Sequence, residues 1–222
     1  MKKHRVLATS VSVIGGADGP TSVFRATDRP NLAERVRRAC YRRKRARAER
    51  RIDSGKLTVV PHTLEETVAF IKQKYHVKEV PADTFRYQEQ YGSLRAALII
   101  QHRPELLGDV AEIKSPDGTE EADLKEYWRQ IELRDRKARE VPEEIFSLDY
   151  HIYEIEDPER NGIQIETEEQ WGILGVSFSG SKKAMKRFRQ TTKEIYLYYG
   201  VSAEDIRTRS DRYRELVTEL CL

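Results

Sequence analysis

An α+β fold, mostly helical with a small antiparallel sheet, is what this sequence predicts, on three observations. Apolar residues recur at three- and four-residue spacing through most of the chain. Near residues 148–179 the spacing changes to two, in the runs LDYHIYEIE, GIQIET and WGILGVSFS, separated by only DPERN and EEQ. Connections that short favour an antiparallel meander. Gly, Pro and helix-cap residues punctuate the segments between, and no repeat of fixed period is present.

Taken in order, residues 6–14 mix β-branched residues with Ser and Thr, as a half-buried strand does, and are a candidate to join the meander. A turn cluster follows. Asp28-Arg29-Pro30 then opens a helix over roughly 31–52, with Leu32, Val36, Ala39 and Cys40 as its apolar stripe. Past Cys40 the stripe fades into YRRKRARAERR, and Ser54-Gly55 ends the helix. Thr63 and Glu66 form a capping-box pattern ahead of a second helix with Leu64, Val68, Ile71 and Tyr75. Val80-Pro81 breaks the chain before a helix at 83–102, with Tyr87, Tyr91, Leu94, Leu98 and Gln101 along one side. Pro104, Gly108 and the SPDG turn at 115–118 separate it from a charge-laced helix at 119–140, whose apolar side is Leu124, Tyr127, Trp128 and Ile131. After the meander, Ser181 starts a helix with Met185, Phe188, Thr192, Ile195 and Tyr199 on one face, and Gly200 stops it. Ser202 with Asp205 caps one last helix carrying Ile206, Tyr213, Leu216, Val217 and Leu220.

The organisation expected is an N-terminal part at 1–53 (strand, Gly-rich turn and arginine-rich helix) and a helical α+β body at 54–222, unless all of it is one domain. At 222 residues, 38% hydrophobic and 35% charged, the chain can bury a core but must carry a surface crowded with ions. Cys40 and Cys221 are too few and too far apart for a disulfide framework, which suits a reducing cytoplasm. No stretch approaches the roughly 20 apolar residues of a membrane-crossing helix. The start, MKKHRVLATSVSVIGGA, has the basic head and short apolar run of a leader, but Thr9, Ser10 and Ser12 interrupt the run and a first strand is expected instead. The net charge of +3 conceals a division. Residues 1–51 hold fifteen Lys/Arg against Asp18, Asp28, Glu34 and Glu49, which is +11, and leave −8 for the remainder.

Three stretches are candidate sites. The first is VSVIGGADGPTSVF, residues 11–24. Its GGADGPTSVF segment closely resembles one in the beta subunit of sodium-translocating carboxylic acid decarboxylases, such as the oxaloacetate and methylmalonyl-CoA enzymes. The resemblance spans about a dozen residues and implies a ligand-binding loop of Gly15, Gly16, Asp18, Gly19, Pro20 and Thr21, with Asp18 as the ion ligand. That family crosses the membrane many times, and its other ion-binding helices have no counterpart here. A lone carboxylate with a Thr hydroxyl would need several more oxygens to hold a hard cation, and these segments build no water-excluded path for ion passage. Read from the residues alone, the stretch is a glycine-permitted corner after the first strand, a recognition loop, or an amide-lined anion nest.

The second stretch is RVRRACYRRKRARAERR, residues 35–51. Arg35, Arg37, Arg38, Arg42, Arg43, Lys44, Arg45, Arg47, Arg50 and Arg51, set against Glu34 and Glu49, give this helix +8. Past Cys40 no face is free of cations, so it is not a helix to be buried whole. Water, acidic surface of the same chain around Glu120, Glu121 and Asp123, or a polyanionic partner must answer the charge. Arg forks suit the phosphates of RNA or DNA, although no zinc finger or RNA-binding aromatic signature accompanies them, and QKYHVKEVPADTFRYQEQYGSLRAAL has only the outline of a helix-turn-helix. The third stretch is SFSGSKKAMKRF, residues 177–188, where Gly180, Ser181, Lys182 and Lys183 are a phosphate candidate or an ordinary N-cap.

Catalysis finds little support in the sequence. His4, His62, His76, His102 and His151 are scattered, none at metal-ligand spacing, and no metal or cofactor is called for. Cys40 among arginines would be a reactive thiol if exposed, but its place beside Val36 in the stripe predicts a small buried apolar role. Tyr196, Tyr198, Tyr199 and Phe188 read as core and near-core aromatics. The expectation is a soluble, cytoplasmic, non-enzymatic binding protein whose arginine-rich helix engages an acidic protein surface, RNA or DNA, with a homodimer open. The alternative is an accessory or regulatory protein, related by motif to the decarboxylase beta subunit, that binds a small ligand or cation at the GGADGPT loop.

Overall fold

The computed structural model describes residues 11–16, 19–25, 32–57, 60–113, 121–156 and 162–221. It separates into two compact units. One comprises Asp28–Val80 and Asp149–Leu222, the other Met1–Thr27 and Pro81–Leu148. The fold is α+β, as its two periodicities require.

The first unit is built on a four-stranded antiparallel sheet of order β3-β4-β5-β6: β3 (Lys78–Glu79), β4 (Tyr150–Glu156), β5 (Gly162–Glu168) and β6 (Ile173–Ser179). Tyr153 pairs with Ile165, Ile165 with Val176, and Ile163 with Phe178. That register puts Tyr153, Ile163, Ile165 and Leu174 on one face, because side chains alternate along a strand. These four are buried in one cluster with Leu64, Val68 and Ile71 of α2 (Leu64–Tyr75), Phe188 and Ile195 of α5 (Lys182–Tyr199), and Leu216 and Val217 of α7 (Asp211–Cys221). Each fully buried side chain of this size stabilises the fold by about 1.5–3 kcal/mol.

The helix ends obey their local chemistry. At α2 the Glu66 N–H donates to Thr63 Oγ1 at 3.1 Å and the Thr63 N–H to Glu66 Oε2 at 2.8 Å, the reciprocal capping box. Gly200 closes α5 at φ +63°, where a Cβ would lie 3.2 Å from Pro61 Cα, so both conformation and space select glycine. Tyr196 and Tyr199 are buried and donate through their hydroxyls to the carbonyls of Leu174 and Gly172, at 2.9 and 3.0 Å. Phe188 is buried with them, while the partly buried Tyr198 stacks between His62 and Phe70.

Three expectations need correction. Of the strand expected at 6–14, residues 6–10 lie outside the described residues, and residues 11–14 do not join the meander. β1 (Val11–Gly16) pairs only with β2 (Gly19–Arg25), Gly16 opposite Gly19, in a separate two-stranded sheet, and the fourth strand of the larger sheet is β3. The Gly-Pro at 19–20 that seemed to punctuate the segment opens a strand antiparallel to β1. The last helix is two: α6 (Ala203–Thr208) ends where Arg209 takes the left-handed conformation at φ +53°, and the Ser210 hydroxyl then accepts from the Tyr213 N–H to start α7. The third concerns the second unit.

In that unit α3 (Phe85–His102) packs with α4 (Glu121–Glu140) and with a short 3-10 turn at Pro104–Val110. The second half of α3 is buried on more than a stripe: Ser93, Arg95, Ala96, Leu98 and Ile99 are all covered, whereas Gln101 is exposed. Arg95 is the reason a cation can lie inside. Its Nε donates to the Phe146 carbonyl at 2.6 Å, and its Nη2 to those of Val141 and Pro142 at 2.6 and 2.9 Å. Those carbonyls belong to the turn after α4, so one guanidinium holds that turn against α3.

Candidate polyanion-binding helix

Helix α1 (Leu32–Asp53) carries the arginine-rich segment. Arg and Ala are among the strongest helix formers, and they fill most of it. Only Ala48 and Ile52 are buried, 5% and 0% exposed, and both belong to the core cluster of the first unit. Polar contacts fix the same end. The Asp53 carboxylate takes both arms of Arg209, Nη1 at 2.8 Å and Nη2 at 3.1 Å, and the Tyr213 hydroxyl at 3.1 Å. The hydrogen bonds from Arg209 hold the Asp53 carboxyl below its ordinary range. Lys44 Nζ donates to the Cys221 carbonyl at 3.1 Å, at the last turn of α7.

Upstream the helix is largely exposed, with Lys44 tied to α7. From residue 32 to residue 47 every position is exposed except the half-buried Ala39 and Ala46. This reverses the expected polarity of the stripe. Leu32 is 74% exposed and Val36 54%, and Cys40 is exposed beside them rather than buried. The apolar residues that pack are those beyond Cys40, where the stripe had seemed to fade. At 1.5 Å per residue the free stretch is about 24 Å long.

Few of its charges are answered among the described residues. Among the described residues the one carboxylate in an ion pair with the ten cations is Glu49, 2.9 Å from Arg45. Among the described residues no carboxylate pairs with Arg35, Arg37, Arg38, Arg42, Arg43, Lys44, Arg47, Arg50 or Arg51, and the Arg50 Nε is turned to the Ala46 carbonyl at 3.0 Å. Of the acidic residues expected to receive them, Glu121 pairs with Lys125 on its own helix at 2.9 Å, Asp123 is exposed on that helix, and Glu120 lies outside the described residues. Arg38 and Arg42, Arg43 and Arg47, and Arg47 and Arg51 are like charges four residues apart. Each such pair costs an isolated helix about 0.2–0.5 kcal/mol.

The other candidates are placed differently. Gly15 and Gly16 end β1, while Gly19, Pro20 and Thr21 begin β2, with a register shift between Ile14 and Gly15; Asp18 lies outside the described residues. Ser181 caps α5, its Oγ accepting from the Ala184 N–H at 3.3 Å, next to Gly180 and the exposed Lys182 and Lys183. The groups that sequence reasoning missed are Asp53, Arg209 and Tyr213, which anchor α1. They lie 156 and 160 residues apart in the chain, and no local pattern joins them.

No helix among the described residues is long and apolar enough to cross a membrane. No family profile, no curated protein and no solved structure matches this chain.

Proposed function

We propose that this chain is a non-enzymatic binding protein, soluble and cytoplasmic, whose helix α1 engages an acidic partner, and that the partner is a nucleic acid. One observation carries the reading: over about 24 Å α1 is exposed except at the half-buried Ala39 and Ala46 and at the Lys44 contact with the Cys221 carbonyl, and nine of its ten cations have no carboxylate among the described residues. A helix in that state is repelled by itself and relieved by a polyanion. Phosphate backbones supply closely spaced negative charge, and the Arg fork matches phosphate oxygens two at a time. An acidic protein surface offers sparser charge and is the competing partner.

The test is filter binding of the purified chain to RNA and DNA across a salt series. Binding should tighten steeply as salt falls, because each phosphate contact releases counterions. Absence of binding to either nucleic acid at about 50 mM salt, where phosphate contacts are strong, sinks the proposal and leaves an acidic protein as the partner to seek.

A further inference from the structure

We propose, resting on that reading, that the nucleic acid is double-stranded DNA and that its major groove takes in the free half of α1, with cations on opposite flanks of the helix meeting the two phosphate walls. The distribution of side chains around the axis carries the argument. At 3.6 residues per turn, Leu32, Val36 and Cys40 fall at roughly 60°, 100° and 140°, measured from Arg35, and form a short exposed apolar strip. Arg35, Arg38 and Arg42 lie to one side of it, at roughly 0°, 300° and 340°. Arg37 and Lys44 lie on the other side, at roughly 200° and 180°, Lys44 also donating to the Cys221 carbonyl at 3.1 Å, while Arg43 and Arg47, at roughly 80° and 120°, continue the strip itself toward the anchored end.

A single anionic plane would satisfy one of those flanks and leave the other pointing at water. A groove satisfies both. The major groove of B-form DNA is about 12 Å wide, and a helix with its side chains is about 10–12 Å across, so phosphates rise on either side of an inserted helix. The deep, narrow major groove of A-form RNA does not admit one in this way. The apolar strip then faces the groove floor, where thymine methyl groups offer apolar contact. A membrane surface is the lesser fit, because the strip is three residues long and Arg43 and Arg47 interrupt its continuation.

Two variants test this, R35Q/R38Q/R42Q for one flank and R37Q/K44Q for the other, each checked for unchanged helicity by circular dichroism. The probes are a 30-base-pair DNA duplex, its single strand, an RNA duplex of the same sequence, and vesicles of phosphatidylserine. The DNA duplex should bind tightest. Each variant should lower its affinity on the order of a hundredfold at 0.1 M salt and reduce the slope of log affinity against log salt by about 2–3. Methyl green, which occupies the major groove, should displace the chain, and netropsin, which occupies the minor groove, should not. Equal binding of single strand and duplex, preference for the RNA duplex or the vesicles, displacement by netropsin alone, or a loss confined to one flank overturns the groove proposal. Salt-sensitive binding to nucleic acid would in those cases still stand, so this failure is distinct from failure of the broader reading.

Discussion

Residues 32–47 and residues 48–53 belong to one continuous helix. In the first stretch Leu32 and Val36 are more than half exposed, while in the second Ala48 and Ile52 are sealed in the core and Asp53 is gripped by Arg209 and Tyr213. Cations run through both. The difference is what lies alongside: α7 packs against α1 and contributes Tyr213, Leu216 and Val217 to the cluster that covers Ile52. Helices gain most of their stability from tertiary packing, and a stretch of this length alone is marginal in water. The anchored turns therefore hold a helix whose free turns spend their composition on charge.

Changes at the two ends should separate stability from binding. The largest effect expected is Ile52→Ala, which empties a fully buried site and should cost about 2–5 kcal/mol in chemical denaturation while leaving the free cations in place. A loss under about 0.5 kcal/mol, the range of surface changes, would show that the anchor does not bear on the fold. Next, R42Q/R43Q/R47Q should weaken nucleic-acid binding on the order of a hundredfold at 0.1 M salt and leave the melting temperature unchanged or slightly raised, since three like-charge pairs disappear.

A smaller effect concerns the helix on which α1 is anchored. The Glu215 carboxyl is pushed up to about 7, first by burial and then by the negative charges of Asp211 and Glu219. The fold thus favours the protonated form. Its contribution is complete below the ordinary value of 4.5 and is lost as pH rises through about 7. Glu215→Gln should remove that loss, so the variant should gain on the wild type in thermal melts between pH 5 and 8 and not below pH 4.5. Parallel melting curves at every pH would refute the assignment. The smallest effects belong to Leu32→Ala and Val36→Ala, which should each change stability by no more than about 0.5 kcal/mol. A loss above about 2 kcal/mol, the scale of a core deletion, would place that strip inside a packed interface.

Much of the architecture could be read locally. The capping box at Thr63 and Glu66, the Ser181 cap, the Gly200 stop and the three-strand meander each rest on residues a few positions apart, and each stands where its pattern placed it. The errors share another cause. Leu32-Val36-Cys40 and Ala48-Ile52 have the same four-residue spacing, so periodicity could not say which would find a partner. Gln101 continued the periodic side of α3, yet the neighbours of that helix cover Arg95 and leave Gln101 in water. The break at Arg209 required a non-glycine residue in the left-handed region, a conformation its sequence does not advertise.

By itself, then, the amino-acid order determined the elements, most of their ends, and a helix too densely cationic to be buried whole, because caps, turns and periodicity are interactions between near neighbours in the chain. Tertiary structure alone decided which end of that helix is held and which is free. That choice depends on Arg209 and Tyr213, more than 150 residues away, meeting Asp53, and distance in the chain carries no information about such a meeting until the core has formed.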